Sequence, residues 1–340
     1  MIDPARRLAS FPRRSLGFFP TPLAELPRLS ASLGGPRIFV KRDDQTGLAL
    51  GGNKTRKLEY FMGEALAAGC DCVISGGAAQ STHCSQTAAA AAASGLDCHL
   101  ALGGEEPPLP EGNLLLDRLL GATIHWGGAR RKGEDIPRIA ADLEAEGKKP
   151  YIIPYGGSNP IGALGFVEAA RELSVQLAET GQKPAAIVFA SSSGGTQAGL
   201  EVGARLFGLR TRLVAIGIDK VGEGETAFID KVRILALETA GLFGLTLDPA
   251  EVLVRNDFLG EGYGIVGEPE RGAIRLAARS EGLLLDPVYT GKAFGGLLAM
   301  IGAGEFRKSD SVLFWHTGGA PALFPYAASL LDEGSAEEAS

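Results

Sequence analysis

The sequence predicts an α/β protein of two domains, built on open, twisted, mostly parallel sheets. Three observations carry that expectation. Apolar runs of strand length alternate with helix-period segments along the whole chain, the pattern of βα units whose strands are buried on both faces. Short glycine clusters sit where those runs give way to helices, and the chain holds 48 glycines among 340 residues, about twice the usual share. The length of 340 residues also exceeds the ~100–200 of a typical single domain.

Strands are expected at 37–41, 72–75, 98–102, 122–125, 151–153, 186–190, 213–217 and 312–316, each a short aliphatic or aromatic run ending in turn residues. Helices are expected between them. The first follows Asn53, where Leu58, Phe61, Met62, Ala65 and Leu66 form an apolar stripe of helical period. On that helix Arg56 and Lys57 read as ordinary surface cations. Further helices are expected at 80–93, 134–146, 161–179, 195–206, 227–240 and 268–280. Pro-Tyr-Gly-Gly-Ser-Asn-Pro at 154–160 is dense in turn residues and reads as a crossing between two sheets, where a cleft would hold a ligand. The expected domains are 1–52 with 165–330, the larger, and 53–164, the smaller. A short extended arm is expected at the N-terminus, and 331–340, acidic and rich in small residues, reads as a flexible tail.

Composition removes several function classes. The net charge is -7 and no basic run is present, so nucleic acid is not an expected partner. No apolar segment reaches the ~18 residues of a membrane helix, and the arginines at 6, 7, 13 and 14 enclose no signal-peptide core. Cys70, Cys72, Cys84 and Cys98 lack paired C-x-x-C spacing, and the four histidines form no H-E-x-x-H. No metal site is expected. Reduced, buried thiols in a cytoplasmic enzyme are.

Chemistry concentrates in five motifs. Gly51-Gly52-Asn53-Lys54 puts a lysine directly after a glycine turn, at a helix start. A lysine that must form an imine needs such a setting, held still and partly neutral, although a solvated lysine fits the local sequence too. Ser191-Ser192-Ser193-Gly194-Gly195-Thr196 follows a strand and opens a helix, so its N–H groups and hydroxyls converge where the helix dipole favours an anion. Without the lysine of a Walker A loop or a G-x-G-x-x-G fingerprint, it reads either as a cup for one phosphate or as a capped helix behind a flexible turn. Gly76–Gly77 lead into Gln80-Ser81-Thr82-His83, a second strand-to-helix junction able to hold a carboxylate; His83 is equally a packed side chain or an acid–base group. Asp286-Pro287-Val288-Tyr289-Thr290-Gly291-Lys292 and His316-Thr317-Gly318-Gly319-Ala320 lie at strand ends. Tyr263 stands among glycines rather than apolar neighbours, which marks Tyr263 and Tyr289 for a pocket.

An imine lysine, a phosphate anchor, a carboxylate cup and tyrosines are together the requirements of pyridoxal phosphate chemistry. In these motifs, and in Pro20-Thr21-Pro22-Leu23 and Lys41-Arg42-Asp43-Asp44, nearly the whole chain resembles the D-cysteine desulfhydrase and 1-aminocyclopropane-1-carboxylate (ACC) deaminase family. These are pyridoxal phosphate enzymes of the tryptophan synthase β-like fold, fold type II. The resemblance implies that Lys54 forms the imine with the cofactor and that the larger domain binds it. Asn53, Ser192, Ser193, Gly194, Gly195, Thr196 and Thr290 would line the cofactor. Ser81, Thr82, His83 and Thr317 would meet a small amino-acid substrate. Ser81, Tyr263 and Tyr289 would share the chemistry with Lys54, in a homodimer.

Two departures bear on substrate. ACC deaminases carry glutamate and leucine where this chain has Thr290 and Ala320. A threonine hydroxyl near the ring nitrogen makes a weaker electron sink, which suffices for β-elimination because the electrons leave with the Cβ substituent. Relatives also read Gln-Ser-Asn-His-x-Arg-Gln where this chain reads Gln80-Ser81-Thr82-His83-Cys84-Ser85-Gln86. The expected activity is elimination of sulfide from D-cysteine to give pyruvate and ammonia. The alternatives are loss of sulfite from L-cysteate, then ACC deamination. From other classes come a non-catalytic pyridoxal phosphate-binding protein and, from the serine–glycine loop alone, a nucleotide binder.

Overall fold

The computed structural model describes residues 3–219 and 227–331. The expected tail beyond 331 lies outside them. The chain opens with α1 (Pro4–Leu8), β1 (Leu23–Glu25), α2 (Pro27–Leu33) and β2 (Arg37–Arg42). Then α3 (Lys54–Ala67) leads into a parallel run of β3 (Cys72–Ala78), α4 (Thr82–Ser94), β4 (Asp97–Gly103), α5 (Gly112–Leu119), β5 (Thr123–Trp126), α6 (Ile136–Ala145) and β6 (Pro150–Ile152). After α7 (Pro160–Thr180) come β7 (Ala186–Ser191), α8 (Gly195–Leu206), β8 (Arg212–Gly217), α9 (Phe228–Gly241), β9 (Val254–Arg255), α10 (Glu268–Glu281), α11 (Thr290–Gly302), β10 (Ser311–His316) and α12 (Ala327–Leu331).

Two sheets result, one in the order β1-β2-β10-β7-β8-β9 and one in the order β5-β4-β3-β6. Every pairing is parallel except β1 with β2. Side-chain alternation on β10 explains why its sequence is apolar throughout. Val312 and Phe314 pack toward α10 and α11 with Ile274 and Phe294. Leu313 and Trp315 pack toward α7 and α8 with Phe166 and Leu200. In the smaller sheet, Val73 and Leu100 meet Leu58, Phe61 and Ala88 on one face. Ile74 and Ala101 meet Ile136 and Ile139 of α6 on the other. Among the described residues no helix is long and apolar enough to cross a membrane, and no three His, Cys, Asp or Glu side chains group to hold a metal. All four cysteines are free thiols.

Three expectations are revised. The N-terminal arm begins with α1, and the residues after it form a strap over α3. Arg14 N donates to Glu59 O at 2.8 Å, and Leu16 N and Gly17 N donate to the Glu59 carboxylate at 2.8 and 3.1 Å. Arg56 and Lys57 are not surface cations: they are 2% and 1% exposed. The apolar stripe accounts for one face of α3, but α7 lies against another. Any side chain at Gly165 of α7 would run into the Arg56 and Lys57 backbone, so glycine is what permits that approach. Third, α5 and α11 are helices that the sequence pattern did not single out.

The two buried cations have different surroundings. Arg56 sits in a closed ionic network, bonded to Asp43 at 2.8 Å and Glu172 at 2.9 Å. Lys41 also pairs with Glu172, and Trp315 Nε1 donates to Asp43 Oδ2 at 2.8 Å. This network ties β2, α3, α7 and β10 together two residues from Lys54.

Candidate active site

The strand order reverses at β10–β7 in one sheet and at β3–β6 in the other, and in open parallel sheets ligands bind beyond the carboxyl ends at such points. A partly open cavity lies there. Its walls are the segments following β3 (Ser81, Thr82, His83), β6 (Tyr155, Gly156), β7 (Ser192 to Gly194) and β10 (Thr317 to Gly319), with Asn53, Lys54, Thr196 and Tyr289.

Lys54 is the first residue of α3, and the backbone around it is tied to both sheets. Asn53 N donates to Thr317 O at 3.0 Å, Asn53 Nδ2 to Thr196 Oγ1 at 3.1 Å, and Thr55 N to Gln86 Oε1 at 3.0 Å. Gly52 holds φ at 136° with Gln86 packed against its Cα, a conformation and clearance that only glycine provides. No hydrogen bond or ion pair among the described residues engages Lys54 Nζ. Burial pulls its pKa from 10.5 down to about 8, slightly opposed by Cys84. The amine therefore carries a neutral fraction on the order of a tenth at neutral pH.

The cup at the start of α8 contains more than its own loop. Gly195 N donates to Ser158 Oγ at 3.1 Å, and Ser158 Oγ bonds Ser193 Oγ at 2.8 Å. Lys57 Nζ donates to Gly156 O at 3.1 Å and has no carboxylate partner among the described residues. Burial first, and Lys54 second, pull the Lys57 pKa well below 10.5. A Cβ on Gly195 would sit 2.8 Å from Lys57 Nζ. A buried amine with no carboxylate partner among the described residues, beside a helix N-terminus, suits an anion, because an anion there would stabilise its protonated form. The sequence reading missed Lys57, Tyr155 and Ser158. The last two lie in the 154–160 turn cluster that did mark the crossing, but the burial of Lys57 left no local signal.

At the other end, Ser81 caps α4, its Oγ accepting Cys84 N at 3.3 Å. Thr82 Oγ1 and His83 Nδ1 are buried with no hydrogen-bond partner among the described residues. His83 Nε2 bonds Ser75 Oγ at 2.8 Å. Burial, then the Lys54 and Lys57 charges, hold its pKa well below 6.5, so the ring is neutral. Tyr289 lines the cavity, and its Oη meets Tyr263 Oη at 2.7 Å. Burial raises both phenols above 10. Arg131 lies over the Tyr263 ring at 4.7 Å and pairs with Asp219 at 2.9 Å.

Thr290 is not among the lining residues. It is 0% exposed, its Oγ1 donating to Asp286 Oδ1 at 2.6 Å and accepting Asp286 N at 2.7 Å. The structure thus gathers Asn53, Lys54, Ser81, Thr82, His83, Ser192, Ser193, Gly194, Thr196, Tyr289 and Thr317 around one space. Gly195 lies at the cup, Tyr263 directly behind Tyr289, and Thr290 one layer back.

A family model described as pyridoxal-phosphate dependent enzyme matches residues 14–318. A D-cysteine desulfhydrase of Yersinia enterocolitica is 43% identical over 94% of this chain and 97% of its own. A solved structure described as an ACC deaminase homologue superposes with a TM-score of 0.89 at 39% identity, over 98% of this chain and 99% of that one. Threonine deaminase isoform 2 of Solanum lycopersicum, at 14% identity and a TM-score of 0.67 over 97% and 87% of the two chains, shares the fold.

Proposed function

The chain belongs to the family of pyridoxal-phosphate dependent enzymes, and from that premise we propose that it is a carbon–sulfur lyase converting D-cysteine to pyruvate, sulfide and ammonia. The observation that carries this reading is that a lysine left partly neutral by burial, the N-terminus of α8 with the buried Lys57 amine behind it, and Tyr289 backed by Tyr263 meet around one cavity. The nearly full-length likeness to a D-cysteine desulfhydrase supports the substrate.

The residues fit the cofactor. Ser192, Ser193, Gly194, Gly195 and Thr196 would hold its phosphate, beside which Lys57 would be favoured in its protonated form. When bound, pyridoxal phosphate supplies the electron sink for the charge left at Cα. Lys54 is its covalent attachment point and, as a neutral amine, the base that takes the Cα proton. Ser81 and Thr82, at the N-terminus of α4, hold the substrate carboxylate, and the orphaned Thr82 Oγ1 has a donor free for it. His83 and Thr317 close the substrate side, and Asn53 braces Thr196. Tyr289, a phenol kept protonated by burial and backed by Tyr263, hands its proton to the departing sulfur. The released enamine hydrolyses in water to pyruvate and ammonia.

No aspartate or glutamate lines the cavity among the described residues, and Thr290 is closed against Asp286. Without a cavity carboxylate to hold the ring nitrogen, the sink would be weak, which favours elimination over opening of a cyclopropane. The six-stranded unit, 1–52 and 165–330, is the cofactor side, and 53–164 the smaller one. Four free thiols support a cytoplasmic location, and a homodimer follows from the family likeness.

The deciding assay is pyruvate release by the cofactor-loaded protein with D-cysteine, L-cysteine and L-cysteate in parallel. Rapid release from D-cysteine alone is the expected result. Turnover of L-cysteate with none of D-cysteine moves the substrate to the sulfonate, and a yellow but inert protein overturns the lyase reading. The phosphate assignment has its own check. Lys57→Met is expected to weaken cofactor binding by tenfold or more, roughly the 1.5–3 kcal/mol of a charge-assisted hydrogen bond. Its melting temperature without cofactor should stay close to wild type, because Lys57 makes no ion pair among the described residues. Unchanged cofactor affinity in a spectroscopic titration would exclude Lys57 from the cup.

A further inference from the structure

The Asp286–Lys292 motif ends in a lysine with no part in the steps above. Lys292 lies in the first turn of α11, three residues after Tyr289, with its side chain 1% exposed. Its Nζ donates to Leu259 O at 2.7 Å and Gly262 O at 2.8 Å, and Glu270 Oε1 stands 4.0 Å away. Both carbonyls belong to the segment that delivers Tyr263 to the site.

That segment lies outside every helix and strand, and three of its glycines have left-handed backbone: Gly260 at φ 57°, Gly262 at 134° and Gly264 at 74°. Such a stretch has little stiffness of its own. Two carbonyls three residues apart converge on one ammonium, which sets the curl of the loop immediately before Tyr263. Burying an ammonium is costly unless its donors are satisfied, and here two loop carbonyls take two of its three. The first turn of α11 therefore carries one tyrosine on its own backbone and holds the other through Lys292. The 2.7 Å contact between the two hydroxyls depends on both.

We propose that Lys292 is a positioning residue that sets Tyr263 against Tyr289. The inference rests on the assignment of that pair to proton transfer, and the test separates the two. Holoenzyme is compared as wild type, K292M, K292R, Y263F and K292M/Y263F. A displacement of the hydroxyl by an ångström is worth on the order of 10²-fold, so K292M is expected to lower kcat by about 10–100-fold with KM shifted by less than about threefold. K292R, which keeps donors for both carbonyls, should recover most of that loss. In the Y263F background, K292M should lower kcat no further. Amide hydrogen exchange supplies a readout independent of turnover: 259–264 should exchange faster in K292M than in wild type or Y263F.

Unchanged exchange at 259–264 in K292M overturns the proposal. So does an equal loss of kcat from K292M in the wild-type and Y263F backgrounds, because the lysine then acts elsewhere than through the tyrosine. If Y263F retains full kcat, the proton-transfer role of Tyr263 fails, while the exchange measurement still decides whether Lys292 clamps the loop. Should K292M not fold, K292Q, able to reach one carbonyl only, carries the same comparisons with a smaller expected change.

Discussion

Lys54→Ala abolishes pyruvate release and the visible band of the lysine-linked cofactor. The loss of the base alone is worth ~10²–10⁴-fold, and the loss of the attachment point adds to it. Lys54→Arg fails equally, because a guanidinium stays charged at any working pH and cannot accept the Cα proton. The surroundings of Lys54 make the prediction specific. Its backbone is tied to Thr317, Thr196 and Gln86, so alanine leaves the cavity walls in place. The variant should fold, melt near wild type and still bind the cofactor through Lys57 and the α8 cup. Since burial lowers the amine to about 8, the resting protein should form the lysine-linked cofactor faster as pH rises toward 8. Full activity of Lys54→Ala would end the proposed mechanism.

Arg56→Met is expected to cost about 3–5 kcal/mol, the usual penalty for stripping one partner from a buried ionic network. Asp43 and Glu172 would keep their burial and lose the guanidinium between them, leaving Lys41 to compensate alone. At ~2–4 °C per kcal/mol the melting temperature should fall by roughly 10 °C. Acid titration of the wild type reports the same network. Burial by its own effect pushes the Glu172 carboxyl up, but the Arg56 bonds and charge and the Lys41 ammonium outweigh it and hold it at about 2 against the usual 4.5. A depressed carboxylate stabilises the fold above about pH 4.5, and that contribution, about 3 kcal/mol, disappears as pH falls toward 2. In Arg56→Met this part of the acid limb should be shallower. A melting temperature within a degree or two of wild type would mean that the network is not holding α3 to α7 and β10.

The legible part of the fold was its local grammar. The expected strands and helices lie within a few residues of observed ones, because the central strands are apolar runs buried on both faces and α4, α8 and α10 begin at serine or glycine turns. The glycine turn before Lys54 and the serine–glycine loop before α8 could be read the same way, since the chemistry of a helix N-terminus is contained in a few consecutive residues.

Charges proved harder. Arg56 and Lys57 follow Lys54 on a helix whose apolar stripe marks one face, and nothing within a few residues records that α7 covers another. Arg56 meets Glu172 116 positions away, and Lys57 meets Gly156 99 positions away. The pairing of Tyr263 with Tyr289, the closing of Thr290 onto Asp286 rather than the cavity, and the clamp from Lys292 are also contacts across the fold.

Residue order alone therefore established the βα alternation and marked Lys54 and two helix starts as candidates, all of which depend on backbone geometry and side chains a few positions apart. Which cations are buried, which of them lacks a counterion, and which hydroxyls reach the cavity were settled by packing, because burial and pairing depend on groups brought together from both sheets.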